Sequence, residues 1–241
     1  MKEYTYDLHI HSVLSPCADG EMTPSNIARM CMLGGIDIAA LTDHNSTANC
    51  PAFFKACEKA GVVPVAGCEV NTAEEVHVLC LFPELEAAMD FGERLRGHMP
   101  DIANDAEVFG RQVLMDEYDR EIGEEGRLLI AAVDISIDDI SGLALAYGGA
   151  AVPAHIDRPA FSLLYNLGFI PEGYPFAAYE ISPAGMGSIE ELMDANPALR
   201  CKTLISDSDA HTLADLVRDA AAMRLYEPIA SAVCDALSGR T

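Results

Sequence analysis

The sequence predicts an α/β fold of barrel size, and three observations carry that prediction. Short buried strands alternate with amphipathic helices along most of the chain, the pattern of a parallel sheet with crossover helices. The 241 residues, half of them apolar, are enough for one large core. Six of the seven histidines fall in or just after predicted strands, on what would be one rim of such a barrel.

Residues 4–11 read as the first strand. Side chains alternate along a strand, so Leu8 and Ile10 share one face and Asp7, His9 and His11 the other. Two imidazoles converging at a strand's end make half of a metal site. Thr23 then caps a helix with Pro24 at its first position, and Gly34-Gly35 closes it. Residues 36–41 form a second apolar strand running into Thr42-Asp43-His44-Asn45. A helix over 51–60 ends at Gly61. The third strand, 62–66, leads to Gly67-Cys68-Glu69-Val70, and the fourth, 76–82, carries His77 near its start. Residues 84–98 look helical. The stretch 101–127 is charged, glycine-spotted and weakly periodic, so it reads as an arm inserted into a single domain spanning 1–241, with a hairpin through 112–115. Ser136 caps the next helix, which stops at Gly148-Gly149. A strand over 150–154 ends in His155-Ile156-Asp157-Arg158-Pro159, and another spans 177–181 before a helix opening near Ser188. Residues 202–206 lead to Asp207-Ser208-Asp209-Ala210-His211. A segment at 223–226 and a helix from Pro228 finish the chain.

The formal net charge is −23. Such a surface repels nucleic-acid phosphates and anionic membranes, which disfavours a polyanionic substrate. A small phosphorylated substrate is compatible with it, because bound cations reverse the local potential. No run of about 18 apolar residues indicates a membrane span, and the N-terminus lacks a signal peptide's apolar stretch. A cytoplasmic location is expected. The eight cysteines include no C-x-x-C pair and read as small buried hydrophobes in a reducing compartment. Cys17 and Cys68 lie beside candidate ligands but are not assigned to them. Neither a phosphate-binding G-x-x-x-x-G-K-[ST] loop nor a G-x-S-x-G nucleophile turn is present.

Five short motifs occur in order: Asp7–Ser12, Thr42–Asn45, Gly67–Glu69, Ala154–Pro159 and Ser208–His211. Together they resemble the motifs of the PHP (polymerase and histidinol phosphatase) family. The resemblance implies a distorted (β/α)7 barrel with an inserted arm, holding two or three divalent ions (zinc, manganese or iron) at its strand ends. It implies that His9, His11, Glu69 and Asp209 hold one ion. Glu69 would bridge to a second ion held by His77 and His155. Asp19, His44 and His211 would hold the third. Asp19 is matched through Asp19-Gly20, although the loop before it is longer than the family's. Mixed nitrogen and oxygen donors suit these metals. Asp7 and Asp43 are read as orienting ligand imidazoles, and Arg158 as gripping a substrate phosphate. His98, on a charged helix end, stands outside the pattern.

The expected activity is metal-dependent hydrolysis of a small phosphomonoester or nucleotide-like phosphodiester by a metal-bridging hydroxide. Asp209 and His211 flank that position and are the candidates for relaying a proton. Two alternatives remain at this level: a nuclease or exonuclease acting on nucleic-acid ends, and a non-catalytic metal-bound barrel that senses a ligand. The sequence carries no statement of oligomeric state.

Overall fold

Seven strands curl into a barrel, and the sequence dictates most of their edges. The computed structural model describes residues 1–216 and 220–240. β1 (Lys2–Asp7), β2 (Ile38–Leu41) and β3 (Val63–Asn71) run parallel, with helices α1 (Pro24–Leu33) and α2 (Cys50–Ala60) as crossovers. Thr23 caps α1 by accepting from Asn26 N–H, and Gly61 ends α2 in the left-handed conformation that glycine adopts without strain. β4 (His77–Phe82) returns antiparallel against β3. This corrects the expectation of an all-parallel sheet. The reversal puts the start of β4, and with it His77, on the same rim as the ends of its neighbours.

After β4 come α3 (Leu85–Arg96), the arm and α4 (Ile137–Ala146), which is capped by Ser136. Within the arm, β5 (Val113–Met115) and β6 (Glu121–Glu124) form a separate hairpin. The arm is tied to the barrel: Val113 N–H donates to Val13 O at 2.9 Å, and buried Asn49 bonds both Val113 O and Met115 N–H.

β7 (Ala150–Pro153) pairs with β4 antiparallel, and α5 (Leu163–Leu167) follows it. β8 (Ala178–Glu180) and β9 (Thr203–Ile205), with α6 (Ile189–Ala195) between them, form a parallel pair. Ile156 N–H to Glu180 O joins the end of β7 to β8, and a bridge between Ile10 and Ala210 joins the extension of β9 back to β1. β10 (Ala221–Leu225) lies along the outer edge of β1, and α7 (Ala230–Ser238) closes the chain.

Two apolar layers result. Tyr6, Ile38, Val65, Leu79, Leu81 and Val152 fill the interior together with Val233, Cys234 and Leu237 of α7, which plugs one end. The opposite strand faces pack against α1 to α4 in a larger cluster. Glu69 and His77 continue the inward series of Val65 and of Leu79 and Leu81 toward the open end. There the interior turns from apolar side chains to buried histidines and carboxylates.

Candidate metal centre

Glu69, buried near the end of β3, is where the site converges. Its Oε1 lies 3.2 Å from His9 Nε2, 2.8 Å from His77 Nδ1 and 3.2 Å from His155 Nε2. Its Oε2 lies 3.4 Å from His11 Nε2 and 3.0 Å from His44 Nδ1. Asp209 Oδ1 is 3.2 Å from both His9 Nε2 and His11 Nε2. Donors held about 2.0–2.2 Å from a shared ion sit roughly 3.0–3.5 Å apart, the spacing seen here. His44 Nδ1 and Asp209 Oδ1 are buried and make no hydrogen bond of acceptable geometry despite these close neighbours. Buried polar atoms left this way are costly unless something else binds them. Three overlapping sets therefore fit a cation: His9, His11 and Asp209; His44, Glu69 and His77; and His11, His44 and His211.

The ring orientations agree. His9 Nδ1 faces both oxygens of buried Glu180 at 3.0 and 3.1 Å, and a carboxylate accepts, so the proton sits on Nδ1 and the Nε2 lone pair points inward. Ser15 Oγ donates to Asp43 Oδ1 and so accepts from His11 Nδ1–H at 2.9 Å. His211 Nδ1–H donates to the carbonyl of Asp209 at 2.8 Å. With the proton on Nδ1, each ring turns its Nε2 lone pair toward the cluster, where those of His9 and His11 lie 3.2 Å apart. Glu180 also accepts from His155 N–H at 2.8 Å, which fixes that residue at the end of β7. Sequence reasoning missed Glu180. Its one signal was a carboxylate between two apolar residues at the end of a predicted strand.

Without an ion the charges oppose one another. Burial pushes His9 down, but Glu180, Asp209 and Glu69 override it and leave its pKa well above the usual imidazole value. His44 is likewise pushed down by burial and up by Glu69, ending at about 10. His11 goes well below its ordinary value, through burial and repulsion from His44. Burial raises Glu69, but the fields of His77, His9 and His44 hold it well below the carboxylate range. Divalent ions would replace these protons as the counter-charge.

Backbone strain gathers at the same rim. Asn45, His155, Phe161 and Asp209 all take positive φ, of 47°, 28°, 51° and 51°. Left-handed conformations of non-glycine residues are expensive and cluster at functional positions.

A family model for the PHP domain matches residues 7–144. The chain belongs to the PHP domain family. It is 28% identical over 99 residues to a 5'-3' exoribonuclease of Haemophilus influenzae, a match covering 38% of this chain and 35% of that protein. Among solved structures it resembles a lesion-specific endonuclease from Pyrococcus furiosus, with a TM-score of 0.71 and 21% identity over the whole of this chain. A structure of endonuclease Q holding a 27-mer duplex with an abasic lesion gives a TM-score of 0.73 at 20% identity. The chain spans 57% of each of these endonucleases. A candidate metal-dependent phosphoesterase from Bifidobacterium adolescentis matches over 93% of this chain and 92% of that one, with a TM-score of 0.55 and 17% identity. Enzymes with nucleic-acid substrates among the relatives conflict with the expectation, drawn from net charge, that nucleic acid is an unlikely partner. A summed charge describes the mean surface and not the potential inside a metal-bearing cleft. PHP membership makes this chain a metal-dependent hydrolase with a distorted barrel.

Of the PHP ligand pattern, His9, His11, His44, Glu69, His77, His155, Asp209 and His211 are brought together. Asp19 is not. Its carboxylate is exposed and accepts from Glu21 N–H at 2.8 Å, because the longer loop carries its side chain past the rim. Asp43 acts on His11 through Ser15, as expected of an orienting group. Asp7 does not orient an imidazole. It accepts from the backbone N–H groups of His9 and Ser208, and burial raises its pKa to about 6. Arg158 is ion-paired with Asp209 at the mouth. A pocket of about 460 Å³ opens there, lined by His44, Glu69, His77, His155, Asp209 and His211 together with Cys17, Ile130, Arg158, Pro159, Ala160 and Phe161. The ring of Phe161 stacks on His77, with centroids 4.9 Å apart. His98 lies elsewhere, paired with Asp134.

Proposed function

We propose that this chain hydrolyses a phosphate ester of small-molecule or nucleotide size, using two or three divalent ions held by His9, His11, His44, Glu69, His77, His155, Asp209 and His211. The observation that carries this reading is the sharing of one buried carboxylate, Glu69, among five imidazoles. A bridging carboxylate offsets the repulsion between neighbouring dications. When bound, the ions lower the pKa of a water and take up charge on the phosphoryl oxygens.

The protein's own residues do the rest. Arg158 presents its guanidinium at the pocket mouth, where it can leave Asp209 to the metal and take a phosphoryl oxygen. Asp209 and His211 stand beside that oxygen's place and can hold a proton for the leaving group. Phe161 is 45% exposed and shows its free face to the opening, which suits an apolar or planar substrate group. The pocket volume is in the range of small-ligand sites.

A second reading is supported by the relatives: cleavage of a nucleic-acid phosphodiester with one nucleotide seated on Phe161. No helix among the described residues is long and apolar enough to cross a membrane. The eight free cysteines suit a reducing compartment such as the cytoplasm. Phosphate or nucleotide release should be measured from nucleoside monophosphates, small diesters and single-stranded oligonucleotides, with manganese, zinc or iron and with chelator. Metal-dependent release from the small esters is expected, with a raised KM in Arg158→Ala. Release from oligonucleotides alone would favour the second reading, and no release from any substrate would refute both.

A further inference from the structure

One short loop carries both Arg158 and Phe161 to the mouth of the pocket. Between β7 and α5, Arg158 N–H donates to His155 O at 3.0 Å, and the hydroxyl of buried Ser162 donates to Arg158 O at 2.6 Å. The loop is thus closed on itself. Phe161 O accepts from His77 N–H at 3.0 Å, which ties it to the start of β4. This closure holds Phe161 at φ 51°, a conformation that is costly for a bulky side chain and that glycine would take without strain. An aromatic ring stands there nonetheless. One face lies 4.9 Å from the His77 ring at an interplanar angle of 18°, and the residue is 45% exposed.

The rest of the lining limits what the free face can recognise. Ile130, Pro159 and Ala160 are its apolar companions in the pocket, and among the described residues no side-chain amide or hydroxyl lines it. A planar group entering here would be held by its face, because an offset stack on Phe161 needs no edge contact. Arg158, fixed to the same loop, would hold the phosphate of the same molecule.

We infer that Phe161 is the specificity-determining residue of this pocket: it selects phosphate esters that carry a nucleobase and does not read which base. The inference rests on reading the pocket as a phosphate-ester site. Every base has a π-face, so a stack on one aromatic ring adds affinity without edge recognition.

Adenosine 5'-monophosphate, uridine 5'-monophosphate and ribose 5-phosphate share the phosphate and the leaving alcohol and differ in the base. With the metal-loaded full chain, both nucleotides should exceed ribose 5-phosphate in kcat/KM by roughly 5- to 150-fold, the weight of one base-on-aromatic stack. They should differ less from each other than from the bare sugar. Phe161→Ala and Phe161→Leu should bring the nucleotide-to-sugar ratio near one, and Phe161→Trp should keep it. A binding readout comes from the same variant: the chain has no tryptophan, so Phe161→Trp places a single indole at the seat. Adenosine 5'-monophosphate should quench its fluorescence and ribose 5-phosphate should not. Equal kcat/KM for nucleotides and sugar in the wild type, or a ratio that survives Phe161→Ala, would overturn the role of Phe161 and leave phosphate-ester hydrolysis standing. Quenching without hydrolysis of any of the three would keep the seat and overturn the hydrolytic reading. Neither quenching nor hydrolysis would overturn both.

Discussion

At the scale of single residues, Glu69 and Glu180 divide the work of the centre. Glu69 touches five imidazoles, and with the proposed dications bound, removing its charge would leave them facing each other without shared compensation. Glu69→Gln should lose metal at the positions shared by His9, His77 and His155 in elemental analysis. Its activity should fall by more than the roughly 10–100-fold that loss of an outer partner costs. Glu180 stands behind the histidine cluster, where it fixes the tautomer of His9 and the backbone of His155. Glu180→Gln should therefore lower metal affinity by about 10–100-fold in a competition titration with a chromophoric chelator, without unfolding the barrel. The clustered histidines were legible because they stand in short motifs at strand ends. Glu180 and Ser15 were not, since a carboxylate between Tyr179 and Ile181 is a weak signal and a serine in a loop is none until the fold brings each to a ring nitrogen.

Elements were legible where local chemistry is strong. Thr23 and Ser136 cap helices as their sequences require, and Gly61 ends one. Strand direction was less visible. The β3–β4 connection has neither glycine nor proline, and Glu75 takes φ 57° to close it, so the turn looks like ordinary polar loop. β3 itself extends to Asn71, beyond the Gly67 that reads as a stop. Gly67 is there for space. A Cβ would meet Cys80 O of β4 at 2.6 Å and a Leu81 methyl at 2.9 Å. Gly67→Ala should destabilise by about 1–3 kcal/mol in chemical denaturation by forcing the two strands apart. Metal affinity should fall with it, since Glu69 lies two residues on.

For the molecule as a whole, protons and metal ions compete for one buried volume. In the metal-free protein His44 has its pKa raised to about 10 and His9 is well above its usual value. A raised folded-state pKa stabilises below the unfolded imidazole value and ceases to do so as pH climbs through the folded one. Metal-free protein should therefore melt lower as pH rises from about 7 toward 10. Metal uptake near pH 7 should release protons into a weakly buffered indicator solution, and affinity should rise with pH. Barrel class was legible from alternation and length, whereas the seam was not, because Ile10 and Ala210 meet across almost the whole chain. The β3–β4 hairpin has the opposite character. Glu69 and His77 are neighbours along the chain and meet through a short antiparallel ladder, and such local contacts form early. A nascent chain would thus carry a two-toothed claw for a cation before its first and last strands have met. Refolding from denaturant should then be faster with zinc present than with chelator. The metal would be a template for the barrel's assembly as well as its later tenant.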